Sequence, residues 1–180
     1  MVLPLHSQTL LGLVMISFPI AKIEPHGGGR IGVCALPGRS GGLQADLKAV
    51  VDWGPVMVVS MTEIGEMQAS GSQDLGEHLR GHGIDWVHLP IRDFGGPDGS
   101  SRDAWPKLAA RLHACLDGGE GVLLHCRAGQ GRAGMIATRL LVERGEEPKT
   151  ALTRLRLVRA GAVETNEQFA WAASAWEGET

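Results

Sequence analysis

The residues with the clearest chemical meaning form one glycine-rich stretch in the second half of the chain. His125 and Cys126 end an apolar run, and Arg132 follows the cysteine six positions later, with Gly129 and Gly131 between them. A loop between a strand and a helix directs backbone N–H groups and the positive end of the helix dipole at one point, where an anion binds. The same groups stabilise a thiolate, and a thiolate that faces a bound phosphorus is a nucleophile. The pattern predicts that Cys126 is a nucleophile at the edge of a phosphate-binding loop.

Arg132 is predicted to be the main cationic ligand of that phosphate. A guanidinium grips two phosphate oxygens at once, and glycines allow the backbone to curl closely around an anion. The predicted phosphate-binding residues are Arg127, Ala128, Gly129, Gln130, Gly131 and Arg132.

Three other interpretations fit parts of this stretch. The cysteine could be a buried structural residue beside an ordinary turn. Residues 129–134 also satisfy the dinucleotide pattern G-x-G-x-x-G, but that fold needs a second strand with an acidic end, and residues 148–159 have the pattern of a basic helix instead. A sulfur-transfer domain of the rhodanese type also uses a cysteine loop, typically a shorter one.

Ester cleavage also needs a proton for the leaving oxygen, commonly from a carboxyl group on a mobile loop. The Gly/Pro-rich segment 89–98, called the acid loop below, contains Asp93 and Asp98. Either residue could instead cap a turn. On residue type alone, both remain candidates for the general acid.

The elements that would position these groups alternate along the chain. Apolar runs predict strands at 13–20, 30–36, 55–61, 84–89 and 121–125. Helical spacing predicts helices at 43–53, 72–81, 132–144, 148–159 and 164–176. A further long helix is predicted to start at Ser100, which begins an S-x-x-D pattern similar to a capping box. The result is an α/β fold: a single domain at 13–180 with a central, mostly parallel sheet of about five strands flanked by helices, after a flexible segment at 1–12.

Composition and charge exclude several classes. The 180 residues are 43% hydrophobic and 21% charged, and the formal net charge of −3 argues against nucleic-acid binding. No apolar run is long enough for a membrane span, and segment 10–21 lacks the preceding positive charge of a signal peptide. We therefore expect a cytoplasmic protein with reduced thiols. The three cysteines form neither a disulfide framework nor a C-x-x-C pair, so no metal site is predicted.

The C-x5-R spacing from Cys126 to Arg132 resembles the phosphate-binding loop of the protein tyrosine phosphatase superfamily. The acid loop resembles that of dual-specificity members, in which the Asp soon after Pro-Ile is the acid, so the resemblance favours Asp93 over Asp98. Residues 31–38 and 161–169 are similar to the cyclin-dependent-kinase-associated phosphatase group.

The resemblance extends over most of the chain and implies a phosphatase that uses no metal or other cofactor. Cys126 would attack phosphorus to form a phosphocysteine, Arg132 would hold the phosphoryl oxygens, and Asp93 would protonate the leaving group. His125 would support the loop that carries the cysteine. The implied substrates are phosphoproteins bearing phosphotyrosine and, with dual specificity, phosphoserine or phosphothreonine.

Five positions depart from the family pattern or leave a question open. Ala133 stands where a Ser or Thr usually donates to the cysteine sulfur, so we expect slow breakdown of the intermediate, and a catalytically weak phosphate-binding module remains an alternative. Glu164 stands where tyrosine-specific members have a water-orienting Gln; Gln168, one helical turn later, is either a supporting residue that helps in its place or a simple helix-surface residue. Arg127 places a cation in the loop, as lipid-directed members do, which keeps an inositol phosphate or phosphoinositide substrate open. Cys34 is either a buried strand residue or a redox partner of Cys126. Protein partners are not predicted.

Overall fold

A five-stranded sheet forms the centre of the structure, a computed structural model that describes residues 18–176. In chain order its strands are β1 (Ala21–Ile23), β2 (Arg30–Ala35), β3 (Met57–Ser60), β4 (Asp85–His88) and β5 (Gly121–Cys126). Their spatial order is β1-β2-β5-β3-β4, and only β1 runs antiparallel to its neighbour. The predicted mostly parallel five-stranded α/β sheet is confirmed.

Seven helices cover the two faces of the sheet within the described residues. They are α1 (Leu43–Trp53), α2 (Ile64–Ala69), α3 (Leu75–Gly81), α4 (Gly99–Asp117), α5 (Gly131–Glu143), α6 (Pro148–Val158) and α7 (Asn166–Ala173). Helices α1 to α3 contribute to the apolar core on one face, and α4 to α7 contribute to the larger core on the other. Pro148 occupies the first turn of α6, as predicted.

The central strand β5 is buried along its whole length, which explains its continuous apolar run. Side chains alternate between the two faces of a strand, so Val122, Leu124 and Cys126 pack into the core under α4 to α7, while Leu123 packs under α1. The register pairs Cys126 with Ala35 of β2. The cysteine therefore lies at the buried end of the central strand of the sheet.

The carboxyl ends of the four parallel strands lie along one edge of the sheet. Connecting segments at this edge carry the groups that a ligand meets, because the strands end there and the next helices begin. The segments that follow β3, β4 and β5 lead into α2, the acid loop and α5. Three segments distant in sequence thus converge beside Cys126.

Several expected boundaries were wrong. The segment 1–12 and residues 13–17 of the strand expected at 13–20 lie outside the described residues. Residues 18–20 are not in a strand, and β1 begins at Ala21. Helix α2 was not predicted, because it has only six residues and lies between turn-rich segments. Helix α4 begins at Gly99 and is capped by Asp98, which forms the capping box with Ser101, so Ser100 is not the cap.

Candidate functional site

The loop after β5 has its carbonyl groups turned away from the space beside Cys126. The carbonyl of Arg127 accepts from the N–H of Leu36 at 3.3 Å. Arg159 donates to the next two, with Nη2 2.7 Å from the oxygen of Ala128 and Nε 2.8 Å from that of Gly129. The carbonyl of Gln130 accepts from the N–H groups of residues 134 and 163 at 2.7 and 3.4 Å.

This arrangement leaves the amide groups of the loop available. Among the described residues, the backbone N–H groups of 128–132 have no hydrogen-bond acceptor, and those from Gly131 onward belong to the first turn of α5. A run of free N–H groups at a helix N-terminus beside a cysteine is a cradle for an oxyanion. The predicted loop residues are thus brought together, although Arg127 points to solvent and the Gln130 side chain donates to the oxygen of Ala160.

Two glycines make the loop possible. Gly129 has a φ of 70°, and a Cβ on it would collide with the carbonyl of Cys34 and the guanidinium of Arg159. A Cβ on Gly131 would collide with the carboxylate of Glu164 and the amide of Gln168. Any side chain at either position would therefore push the loop off its neighbours.

Arg132 lies under this loop with only 1% of its side chain exposed. Its Nη1 is 2.6 Å from Oε2 of Glu66 and its Nη2 is 2.8 Å from Oε1, a bidentate ion pair. Nη1 also donates to the carbonyl of Ile91 at 3.0 Å, and Nη2 lies 3.0 Å from Oδ1 of Asp93. Nε has no partner among the described residues. The guanidinium is therefore oriented by α2 and the acid loop while one donor stays unused.

The charges of this cluster reinforce one another. Burial opposes the charge on Arg132, but the Glu66 bonds and the nearby Cys126 and Asp93 more than offset it, so the pKa of Arg132 lies above its ordinary value. Burial likewise raises the pKa of Glu66, and the bonds from Arg132 outweigh that effect and lower it. Both groups stay ionised at neutral pH, which keeps a fixed positive charge next to the cysteine.

His125 lies beneath the loop, fully buried, and belongs to a polar chain. Trp86 donates its Nε1–H to Oγ of Ser60 at 2.8 Å, and that oxygen lies 2.5 Å from Nε2 of His125. Because the indole only donates, the hydrogen of the Ser60 hydroxyl is free for an unprotonated Nε2. Burial lowers the pKa of His125 to about 4, with the nearby His88 and Arg132 charges acting in the same direction. The histidine is neutral at physiological pH and supports the end of β5.

The two carboxyl candidates in the acid loop have different environments. Asp93 faces Arg132, with 39% of its side chain exposed, and also accepts from the N–H of Phe94 at 3.1 Å. Asp98 caps α4 at the far end of the loop, which is the role expected of a turn-capping Asp. Of the two, only Asp93 therefore lies beside the guanidinium of Arg132.

The helix α7 approaches the same site from the opposite side. Gln168 is fully buried; its Oε1 accepts from the N–H groups of Glu164 and Thr165, and its Nε2 donates to the carbonyl of Gly95 at 3.3 Å. Both polar atoms of the Gln168 side-chain amide are therefore bonded to backbone groups. Glu164 is exposed, with its carboxylate close to Gly131.

Two further predicted residues are buried. Ala133 is fully buried as the third residue of α5 and brings no hydroxyl to the loop. Cys34 is fully buried in β2 next to the central strand, and burial raises the pKa of its thiol. Within residues 18–176 no group of three or more His, Cys, Asp or Glu side chains is placed to hold a metal ion. No helix in that part of the chain is both long and apolar enough to cross a membrane.

Sequence reasoning missed two residues that shape the loop. Glu66 lies 66 positions from Arg132, and its only local signal is a carboxylate in the first turn of a helix that follows a strand. Arg159 ends α6 and looked like one of several solvated basic residues. Neither has a fixed spacing from Cys126 that a sequence pattern could detect.

Comparison with known proteins gives a consistent picture. A family model described as "Polymorphic toxin system, DSP-PTPase phosphatase" matches residues 31–146. Cyclin-dependent kinase inhibitor 3 of Rattus norvegicus is 31% identical over 147 residues, which are 77% of this chain and 68% of that protein. Protein tyrosine phosphatase type IVA 3 of Bos taurus is 28% identical over 125 residues, 69% of this chain and 67% of that protein.

Solved structures agree with these relatives. A crystal structure of kinase associated phosphatase, with its catalytic-site cysteine changed to serine, has a TM-score of 0.77 and 25% identity, covering 88% of this chain and 93% of that one. The crystal structure of Tk-PTP in its active form has a TM-score of 0.69 and 27% identity, and the match covers 89% of this chain and 99% of that one. By its family model, its relatives and its fold, this chain belongs to the protein tyrosine and dual-specificity phosphatase superfamily.

Proposed function

We propose that this chain hydrolyses phosphate monoesters on proteins through a phosphocysteine at Cys126. The observation that carries the proposal is the cradle of free N–H groups between Cys126 and Arg132, with Asp93 beside the guanidinium. A tetrahedral anion in this cradle would lie against the sulfur. Its oxygens would bind to backbone N–H groups and to Arg132.

The first chemical step transfers the phosphoryl group to the enzyme. The thiolate of Cys126 attacks phosphorus, the bond from phosphorus to the ester oxygen breaks, and that oxygen takes a proton from the carboxyl of Asp93. In the structure Asp93 is paired with Arg132. Bound phosphoryl oxygens would replace Asp93 as the partner of this guanidinium, and the freed Asp93 carboxyl group would then face the ester oxygen. The N–H groups stabilise the charge that develops on the equatorial oxygens.

The second step restores the enzyme. Water attacks phosphorus, its proton goes to the Asp93 carboxylate, and the sulfur–phosphorus bond breaks to release inorganic phosphate and the thiolate. A serine or threonine hydroxyl would ease the departure of the sulfur, and Ala133 has none. We therefore expect this step to limit turnover. Such chemistry needs a reduced cysteine, in keeping with the cytoplasmic location that we propose from the sequence.

The proposal is tested by phosphate release from p-nitrophenyl phosphate at mildly acidic pH in the presence of EDTA. We expect activity in the wild-type protein, its loss in Cys126→Ser, and no effect of the chelator. The Cys115→Ser variant is the matched control, because that half-buried cysteine lies on α4 away from the loop. Wild-type protein that binds vanadate without releasing phosphate would instead favour the phosphate-binding module.

An inositol phosphate or phosphoinositide is the second candidate substrate, and the exposed Arg127 favours it. An exposed cation on the loop is placed to meet a second phosphate on the substrate. Comparison of kcat/KM for a phosphotyrosyl peptide, a phosphothreonyl peptide and an inositol phosphate separates the candidates. A preference of more than about tenfold (~1.4 kcal/mol) for the inositol phosphate would overturn the protein substrate.

A further inference from the structure

Residues 92–94 form an exposed tip of the acid loop, although Ile91 before them and residues 95–97 after them are buried. Phe94 has a φ of 60° and its ring is 57% exposed, and two glycines follow it. A cavity of about 560 Å³ lies behind the loop and is lined in part by Gly96 and Pro97. A non-glycine residue in the left-handed region needs external support, and glycines add freedom. Something other than apolar contact must fix the position of Asp93.

Three side chains at the start of α7 bond to three consecutive residues of this loop. Oγ1 of Thr165 donates to the carbonyl of Phe94 at 3.1 Å, and the Gln168 amide donates to the next carbonyl at 3.3 Å. Oε1 of Glu167 accepts from the N–H of Gly96 at 3.3 Å. We call Thr165, Glu167 and Gln168 the α7 clasp.

The helix that carries the clasp is itself firmly attached. Arg139 of α5 donates to the carbonyl of Trp171 at 2.8 Å and stacks over its ring at 4.8 Å, while Trp105 meets that ring edge-on at 5.2 Å. Ala172 is fully buried against α5. The three side chains of the clasp are therefore carried by a helix that is itself held in place by α4 and α5.

The same end of α7 also touches the phosphate-binding loop. The N–H of Val163 donates to the carbonyl of Gln130 at 3.4 Å, and the Glu164 carboxylate lies close enough to Gly131 to exclude a Cβ there. One segment thus contacts both the loop of Cys126 and the loop of Asp93. Its geometry sets the distance between the two loops.

We propose that the α7 clasp positions the acid loop for proton transfer, and that Glu167 is a positioning residue for Asp93. The inference rests on the proposed function, since it assigns a purpose to the position of the acid. Glu167 is not a catalytic residue, because it bonds only to backbone of the loop. Its carboxylate is exposed, so its replacement leaves the core intact.

The kinetic test uses two esters that differ in their need for an acid. Phenyl phosphate has a poor leaving group and depends on protonation, whereas p-nitrophenyl phosphate has a good one. We expect Glu167→Ala to lower kcat/KM for phenyl phosphate about fivefold, the value of one hydrogen bond, with less than about a twofold change for p-nitrophenyl phosphate. Glu167→Gln keeps an acceptor oxygen and should restore most of the activity. Asn166→Ala, an exposed neighbour with no bond to the loop among the described residues, is the matched control.

A double-mutant cycle asks whether Glu167 acts through Asp93. In an Asp93→Asn background, Glu167→Ala should cause no further loss on phenyl phosphate, because there is no acid left to position. Equal losses on both esters, an additive double mutant, or wild-type behaviour of Glu167→Ala would each overturn the proposal.

Hydrogen exchange gives a readout that does not depend on activity. The amides of 94–96 should exchange faster in Glu167→Ala than in wild-type protein or Asn166→Ala. Unchanged exchange would overturn the clasp even in an active enzyme. Faster exchange in a protein that hydrolyses neither ester would keep the clasp as a structural contact and overturn the proposed function together with the role assigned to Glu167.

Discussion

Removal of the Glu66 carboxylate is the most informative change to the site outside the loop that follows Cys126. In Glu66→Ala the guanidinium of Arg132 loses two charge-assisted bonds, of 2.6 and 2.8 Å, and the N–H of Glu63 loses its acceptor at 2.8 Å. Breaking a buried ion pair costs about 3–5 kcal/mol, because one charge is left without its partner. Glu66 is 17% exposed, and Asp93 and two carbonyls remain around the arginine. We therefore expect a loss at the lower end of this range, about 3 kcal/mol in the free energy of unfolding.

The same change should impair the proposed reaction. A guanidinium free to rotate no longer presents its donors to the phosphoryl oxygens, and small misplacements of this kind cost about a hundredfold in rate. Urea denaturation measures the stability, and kcat/KM for p-nitrophenyl phosphate measures the rate. Glu66→Gln keeps one acceptor and should fall between wild type and Glu66→Ala. Gln68→Ala, on the exposed side of the same helix, is the control and should change neither quantity.

The reasoning would be refuted by a particular result. If Glu66→Ala lost less than about 1 kcal/mol of stability, the value of a single ordinary hydrogen bond, and kept its kcat/KM, Arg132 would not depend on α2 for its orientation. The role assigned to the Glu66 carboxylate would then be wrong.

Three further predictions follow from the same geometry. The pKa of His125 is about 4 in the folded protein and 6.5 in the unfolded chain, so between these pH values the unfolded chain binds one more proton. Up to about 3 kcal/mol of the free energy of unfolding should therefore be lost as the pH falls from 6.5 towards 4. Urea midpoints across this range measure the loss, and a midpoint that stays level after subtraction of the His125→Asn profile would contradict the prediction. Arg159→Ala removes both donors to the loop carbonyls, so kcat/KM should fall about tenfold, whereas an unchanged value would mean that the loop keeps its conformation without Arg159. Ala133→Ser should raise the steady-state rate severalfold with an unchanged pre-steady-state burst rate, and a slower steady state would show that breakdown of the intermediate is not limiting.

The loop at Cys126 could be predicted from sequence because its chemistry is local. The cysteine, the glycines and Arg132 are fixed within one strand–loop–helix connection, so spacing alone indicates how they meet. The alternation of apolar runs likewise predicted the sheet. Asp93 was separated from Asp98 only through a family resemblance. A capping role was one of the alternatives for Asp98, but the start of α4 was placed at Ser100, which has an equally good local pattern.

The remaining parts of the site arise from long-range contacts. Glu66, Arg159 and Glu167 reach the two loops from α2, α6 and α7, across 66, 30 and 71 positions of sequence. No local periodicity encodes such pairs, because each depends on how helices pack across the sheet. The short helix α2 also lacks the length at which hydrophobic periodicity becomes readable.

The central claim is that the phosphoryl group passes through Cys126. Rapid acid quench of the wild-type protein during turnover of p-nitrophenyl phosphate, followed by intact-mass and peptide mass spectrometry, measures it most directly. We predict one covalent phosphoryl group on Cys126, with the adduct absent in Cys126→Ser. Turnover without any adduct on Cys126, or with activity retained in Cys126→Ser, would contradict the account.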